Sequence, residues 1–234
     1  METLWNTIIY QPIYNALIGI SHLLGGDVGL GVILLTIIIR LALFPLSKKS
    51  LVGQYKMRAL DPKIQAIKEK KLPAQEESKE LFALYKTEGI NPFSGCLYLL
   101  LQLPILFALY FSFMRGIEQP QHLYSFLSTE GLHATLLGLI DITKPFFPLA
   151  LTAGITQAIQ AFLMPKQPVS TGVTPSFQEQ FTKSMSAQTK YVLPLIIVFI
   201  SWKLAAAVAL YWTVTNIFSI FQELYIRKKY RPAL

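Results

Sequence analysis

The apolar positions fall into long runs. Leu34 to Leu46 reads LLTIIIRLALFPL, and the 19 residues from Val28 to Leu46 could cross a hydrocarbon core of ~30 Å at ~1.5 Å per residue. Phe93 to Met114 is a second run, uncharged over 22 residues and carrying Gln102 and Pro104. Pro145 to Pro165 is a third. Tyr191 to Gln222 would be about 48 Å long as one helix, too long for a bilayer, and Lys203 interrupts it. That stretch is expected to be two spans joined by a tight turn. Its first half has only twelve apolar residues before Lys203, about 18 Å of helix, which predicts local bilayer thinning or a helix start nearer Met185.

Between the runs, shorter periodicities appear. In residues 1–27, Trp5, Ile8, Ile9, Ile13, Tyr14, Leu17 and Ile20 recur at steps of one to four, and Pro12 can kink the helix they predict. An interfacial amphipathic helix and an ordinary packed helix both fit; Gly25 and Gly26 end it. In residues 47–92, Met57, Leu60, Ile64 and Ile67 share one face, and Asp61-Pro62 reads as an N-cap followed by proline. After Leu72-Pro73-Ala74, Leu81, Leu84 and Tyr85 share another, so the segment is expected to be a helical hairpin.

Composition turns these runs into a class. Hydrophobic residues make up 53% of the 234, charged residues only 15%, and mean hydropathy is +0.44, so the expectation is an all-α integral membrane protein. The net charge of +8 does not by itself point to sequence-specific nucleic acid, because its placement matters more than its sum. Segments 47–92, 166–190 and 227–234 hold 17 of the 21 Lys and Arg, whereas 1–27 and the loop from Gly116 to Thr143 hold none. The positive-inside rule then gives five spans, 28–46, 93–115, 145–165, 191–203 and 204–226. The N-terminus and the 116–144 loop lie outside; the hairpin, the Ser/Thr/Gln-rich 166–190 loop and the basic tail lie in the cytoplasm. The lone Cys96 gives neither a disulfide nor a metal-ligand spacing, and its expected role is packing. Residues 1–27 lack the basic residues of a signal or transit peptide.

Arg40 is the charge that needs an explanation. It lies about 12 Å inside Lys48 at helical rise, too deep for easy snorkelling. There a guanidinium costs from ~3 kcal/mol on insertion scales to ~10 or more in simulation. Asp and Glu fall outside the apolar runs, the nearest candidate being Glu223. Arg40 therefore either snorkels or pairs with Glu223, or faces a wet cavity; its depth favours the cavity. Polar residues at helical spacing could line it: Thr152, Thr156, Gln157 and Gln160 in the third span, and Trp212, Thr215, Asn216, Ser219 and Gln222 in the last. Interhelical hydrogen bonds are the plainer reading of each residue taken alone.

Several stretches resemble the YidC/Oxa1/Alb3 membrane protein insertases. They are Ile39-Arg40-Leu41-Ala42-Leu43-Phe44-Pro45-Leu46; Leu84-Tyr85-Lys86; NPFSGCLYLLLQLPILFALY from Asn91 to Tyr110; the Leu193-Pro194 start of the fourth span; and Leu210-Tyr211-Trp212 followed by Asn216. With no large outer domain ahead of Trp5, the likeness is to the bacterial short form. The Trp202-Lys203-Leu204-Ala205-Ala206-Ala207 turn departs from the Pro-Ser/Ala-Gly form usual in the family.

The resemblance implies a bacterial inner-membrane insertase and chaperone, not an enzyme, working without cofactor or metal. Its hydrophilic groove would open to the cytoplasm and sideways to lipid, centred on Arg40 with Thr36, Gln102, Gln157, Gln160, Trp212, Thr215, Asn216 and Ser219. Nascent membrane proteins and the bilayer would be its partners. The hairpin, with Lys56, Arg58, Lys63, Lys68, Lys70 and Lys71, would receive the signal recognition particle or its receptor, the ribosome or the Sec translocon. The tail after Arg227 is short, which weakens a ribosome-binding role there. Two other classes are disfavoured by the residues: a transporter lacks its inverted repeats, and an intramembrane enzyme lacks catalytic motifs in the spans.

Overall fold

The computed structural model describes residues 2–89, 94–164 and 187–230, and they are mostly helical. The 166–190 loop and the basic tail therefore fall largely outside the described residues, as do Asn91 to Phe93.

The N-terminal segment is a helical run. Helix α1 (Glu2–Trp5) passes through a π-helical turn (Asn6–Tyr10) into α2 (Gln11–Leu23). Pro12 has no N–H to give and sits in the first turn of α2, where the widened turn, closed by Gln11 N–H on the Asn6 carbonyl, absorbs it. Tyr10, Tyr14, Leu17, Ile18 and Ser21 form the buried face, whereas Ile8 is 65% exposed.

Helix α3 (Val28–Ala42) starts where the Asp27 carboxylate accepts from Leu30 N–H at 2.8 Å. The sequence pattern carries this helix through to Leu46; the structure ends it at Ala42. Helix α4 (Phe44–Ala59) continues at an angle of 61°. The reason is Pro45, which cannot donate to Leu41 and whose ring crowds that carbonyl. Helices α5 (Asp61–Glu69) and α6 (Ala74–Thr87) make the hairpin, turning at Lys71 with φ +51°. Asp61 is the first residue of α5 and Leu60 its N-cap, so the helix opens one position earlier than the reading of Asp61 as N-cap gives. Leu60 and Ile64 are buried against Met57, Leu81, Leu84 and Tyr85.

Helix α7 (Ser94–Met114) leads to the segment at 116–144, which contains a small antiparallel hairpin of β1 (Thr135–Leu136) and β2 (Ile140–Asp141). That segment is tied to the π-helical turn and to α2. Tyr10 O–H donates to Gln119 at 2.6 Å, Tyr14 O–H to the Ile117 carbonyl at 2.6 Å, and Asn15 Nδ2 to the His122 carbonyl at 2.7 Å. Hydrogen bonds from Lys144 and Thr143 hold the Asp141 carboxyl down to about 2.

Helix α8 (Phe147–Leu163) follows. A π-helical turn (Gln188–Val192) runs into α9 (Leu193–Lys203), and α10 (Ala206–Tyr230) starts after a two-residue link. Buried small residues Ala150, Ala153, Gly154, Ala206, Ala207 and Ala209 let α8, α9 and α10 approach closely. The main apolar core joins α2, α3, α7 and α10 through Leu17, Val32, Leu35, Leu109, Phe113 and Leu210, with Ile142 inserted from the 116–144 segment. Elsewhere the usual distribution is reversed: Ile155, Leu195, Phe199 and Phe221 are half or more exposed, while Thr36, Arg40, Thr215, Asn216 and Ser219 are buried. Among the described residues no single helix is long and apolar enough to cross a membrane, but the bent α3–α4 pair passes that test together.

Candidate functional site

The break at Leu43 positions Arg40. The residue occupies the last turn of α3, where the unsatisfied carbonyls favour a cation by about 0.3–1 kcal/mol. It is 3% exposed. Its guanidinium donates to Ser219 Oγ and, at 3.3 Å, to the Thr215 carbonyl, and it lies 5.3 Å from the centre of the Phe218 ring. Four residues separate Thr215 from Ser219, so both face α3 from one side of α10. The Ser219 hydroxyl itself donates back to the Thr215 carbonyl at 2.8 Å.

The same side of α10 continues against α4. Gln222 Nε2 donates to Ser47 Oγ at 2.6 Å, and the Tyr55 hydroxyl donates to the Glu223 carboxylate. Burial, then the carboxylate itself, push the Tyr55 hydroxyl up, so it remains a donor. Arg40, Ser47 and Tyr55 thus form one polar seam with Thr215, Ser219, Gln222 and Glu223. A cleft of about 280 Å³ opens at its edge, lined by Phe44, Phe218, Phe221, Gln222 and Tyr225.

The other sequence candidates lie in different settings. Thr36 is buried one turn before Arg40, and its hydroxyl donates to the Val32 carbonyl at 2.6 Å. Gln102, half-buried on α7, donates to the Tyr211 hydroxyl on α10. Asn216 faces α8, donating at 3.2 Å both to the Ala153 carbonyl and to Thr156 Oγ1. Trp212 packs with Ala153, Ile197 and Ala209 between α8 and α9. Gln157 is buried on α8 and Gln160 half-buried. Of the nine groove candidates, therefore, Arg40, Thr215 and Ser219 are in direct contact. Ser47, Tyr55, Tyr211 and Phe218 join the network without having been singled out, because each meets a partner on another helix, which spacing along its own helix does not reveal.

In the hairpin, Lys63 pairs with Glu88 at 2.6 Å and Lys70 with Glu80 at 2.7 Å. Arg58 lies close enough to Tyr55 to act on it electrostatically, which places the root of the hairpin beside the seam. Lys68 and Lys71 are on the same hairpin, and Lys56 in the last turn of α4. Among the described residues no cluster of three His, Cys, Asp or Glu could hold a metal ion.

Comparison with known proteins identifies the family. The family model described as 60Kd inner membrane protein matches residues 19–233. A membrane protein insertase YidC from Stutzerimonas stutzeri (strain A1501) is 37% identical over 227 residues, covering 97% of this chain and 36% of the relative. One from Ectopseudomonas mendocina (strain ymp) is 36% identical over 98% of this chain and 35% of the relative. A third, from Alkalihalophilus pseudofirmus (strain ATCC BAA-2126 / JCM 17055 / OF4), is 35% identical over 94% of this chain and 81% of its own length. The chain thus spans about a third of the first two relatives and most of the third. With nearly its whole length matched in family model and relatives alike, the chain belongs to the 60Kd inner membrane protein family, the YidC/Oxa1 family.

Proposed function

We propose that this chain is an insertase and chaperone of the inner membrane, moving short polar tails and apolar segments of nascent membrane proteins from the cytoplasm into the bilayer. The observation that carries the reading is the burial of the Arg40 guanidinium at the end of α3, against Thr215, Ser219 and Phe218 of α10. A fixed positive charge among apolar helices attracts a substrate's acidic tail far more strongly than it would in water. Thr36, Gln102, Gln157, Gln160, Trp212 and Asn216 supply further polar or amphipathic side chains along α3, α7, α8 and α10.

The topology proposed with it has five spans, the N-terminus outside and the C-terminus in the cytoplasm, with α1–α2 lying along the outer interface. The short helices α8 and α9 favour a locally thin bilayer, which shortens the polar path. Transfer of the substrate's apolar segment into lipid, and the membrane potential acting on its acidic residues, supply the driving force. The hairpin receives the substrate from the signal recognition particle or its receptor, the ribosome or the Sec translocon, through Lys56, Arg58, Lys63, Lys68, Lys70 and Lys71.

Proteoliposomes holding only this protein test the reading. A single-span substrate with an acidic tail is offered and protease protection is read for wild type, Arg40→Lys and Arg40→Gln. Insertion by wild type above empty liposomes, largely kept by Arg40→Lys and lost by Arg40→Gln, is the expected result. Equal insertion by all three would remove the charge from the mechanism; none by wild type would remove autonomous insertion.

A further inference from the structure

The tip of the β1–β2 hairpin is built at odds with water. Leu139 N–H donates to the Leu136 carbonyl at 3.0 Å, closing a tight turn in which Leu137 has φ +54° and Gly138 φ +67°. Such turns favour Asn, Asp or Gly, whose backbones enter the left-handed region easily. Leucine at the first of these positions is strained, and its side chain gains little from the protein: Leu137 is 64% exposed and Leu139 84%.

The base of the hairpin fixes where that tip sits. Val28 N–H, at the first residue of α3, donates to the His133 carbonyl at 3.1 Å. Strand β1 crosses directly over Gly29, where a Cβ would stand 2.7 Å from Leu136 Cα. On the other side, Ala206 and Ala207, the first residues of α10, donate to the Lys144 and Ile142 carbonyls at 2.9 and 3.0 Å. The hairpin is thus bonded to the beginnings of two apolar helices. The turn runs out and back, so its backbone reaches ~5 Å beyond that level, and the leucine side chains add to it, within the ~5–10 Å depth at which interfacial apolar groups bury.

We propose that Leu137 and Leu139 form a lipid-anchoring finger that enters the leaflet on the side where α3 and α10 begin, fixing the 116–144 segment to the membrane surface. The occupant of this apolar tip is lipid, because the hairpin's own bonds hold it at bilayer height beside two helix starts. The inference rests on α3 and α10 crossing the bilayer and is independent of insertion activity.

The test uses the full chain in phosphatidylethanolamine/phosphatidylglycerol liposomes, with Cys96→Ser removing the native thiol. An NBD fluorophore is attached at Leu139→Cys and, as a reference in the same segment, at Glu130→Cys. The Leu139 probe is expected to emit blue-shifted light, to be quenched by lipids carrying a nitroxide near the headgroup and to be shielded from iodide; the Glu130 probe is expected to behave in the opposite way. Water-like emission quenched by iodide at both positions would overturn the anchor. Shielding from iodide without lipid quenching, or a signal that rises with protein-to-lipid ratio, would overturn it in favour of a protein partner or a second copy. Leu137→Asn suits the turn and is expected to keep or raise thermal stability in detergent while weakening the lipid quenching at Leu139. Unchanged quenching would remove Leu137 from the finger. The readout uses no substrate, so failure of the insertion assay and failure of this proposal are separable.

Discussion

The Tyr55 hydroxyl on α4 donates to the Glu223 carboxylate on α10, 168 residues away in the chain. Glu223 is 2% exposed, and its Oε2 has no hydrogen-bond partner among the described residues. The single phenol therefore carries much of the solvation of a buried carboxyl group. Tyr55→Phe is expected to lower stability by about 1–3 kcal/mol, because it leaves a buried acceptor unsatisfied. Tyr55→Phe combined with Glu223→Leu is expected to recover most of that loss, since both polar partners are then gone. Thermal unfolding in detergent of the two single variants and the double variant measures the coupling; strict additivity would show that the pair does not act as a unit.

Gly154 makes a second sharp prediction. A Cβ there would lie 2.1 Å from Val198 Cγ2 and 3.1 Å from the Pro194 carbonyl, so α8 and α9 touch backbone to side chain at this point. Gly154→Ala is expected to cost about 1–3 kcal/mol through overpacking. Val198→Ala in the same chain should restore part of it, and only part, because the Pro194 carbonyl stays in place. A neutral Gly154→Ala in thermal unfolding would mean the two helices can separate at no cost.

Much of this arrangement was legible in the sequence, and the remainder fails for identifiable reasons. The four-residue steps of Thr152 and Thr156, and of Thr215 and Ser219, are visible as spacing, and each pair does lie on one side of its helix. Spacing does not say which neighbour a side meets. Asn216 follows Thr215 directly, yet one reaches α8 and the other lies against α3, because 100° of helical rotation separates them. The bend at Leu43 was signalled by Pro45, but continuous hydropathy from Leu41 to Leu46 hid it. The ties from Tyr10, Tyr14 and Asn15 to residues 117–122 span about a hundred residues and leave no local pattern at all.

Those ties also carry a pH dependence. Burial, and then the positive charge of Arg115, hold the His122 imidazole below its ordinary value. Its ring meets Tyr10 edge-on at 5.1 Å. The folded segment thus binds fewer protons than the unfolded one below about pH 6.5, so its stability rises with pH and falls as pH drops through the unfolded and then the folded pKa. Hydrogen exchange at the Gln119 and Tyr124 amides, corrected for intrinsic rate, should show protection declining from pH 7.5 to 5. His122→Gln should flatten that decline; a decline that persists in the variant would move its cause away from His122.

The α5–α6 hairpin offers the cleanest separation of folding from recruitment. Its two helices meet through Leu60, Ile64, Leu81, Leu84 and Tyr85, whereas Lys63–Glu88 and Lys70–Glu80 are surface pairs whose lysines are more than half exposed. Exposed pairs of this kind contribute ~0–1 kcal/mol, while truncating a buried aliphatic residue such as Ile64 to Ala costs about 2–5 kcal/mol. Lys63→Ala and Lys70→Ala should therefore leave unfolding of the hairpin nearly unchanged, and Ile64→Ala should lower it clearly. If the basic residues receive partners, a charge-reversed hairpin carrying Lys63→Glu and Lys70→Glu should remain folded by hydrogen exchange yet lose co-sedimentation with translating ribosomes at low salt, with wild-type binding itself falling as salt rises. Folded hairpins that bind as well as wild type would assign these lysines to solvation alone.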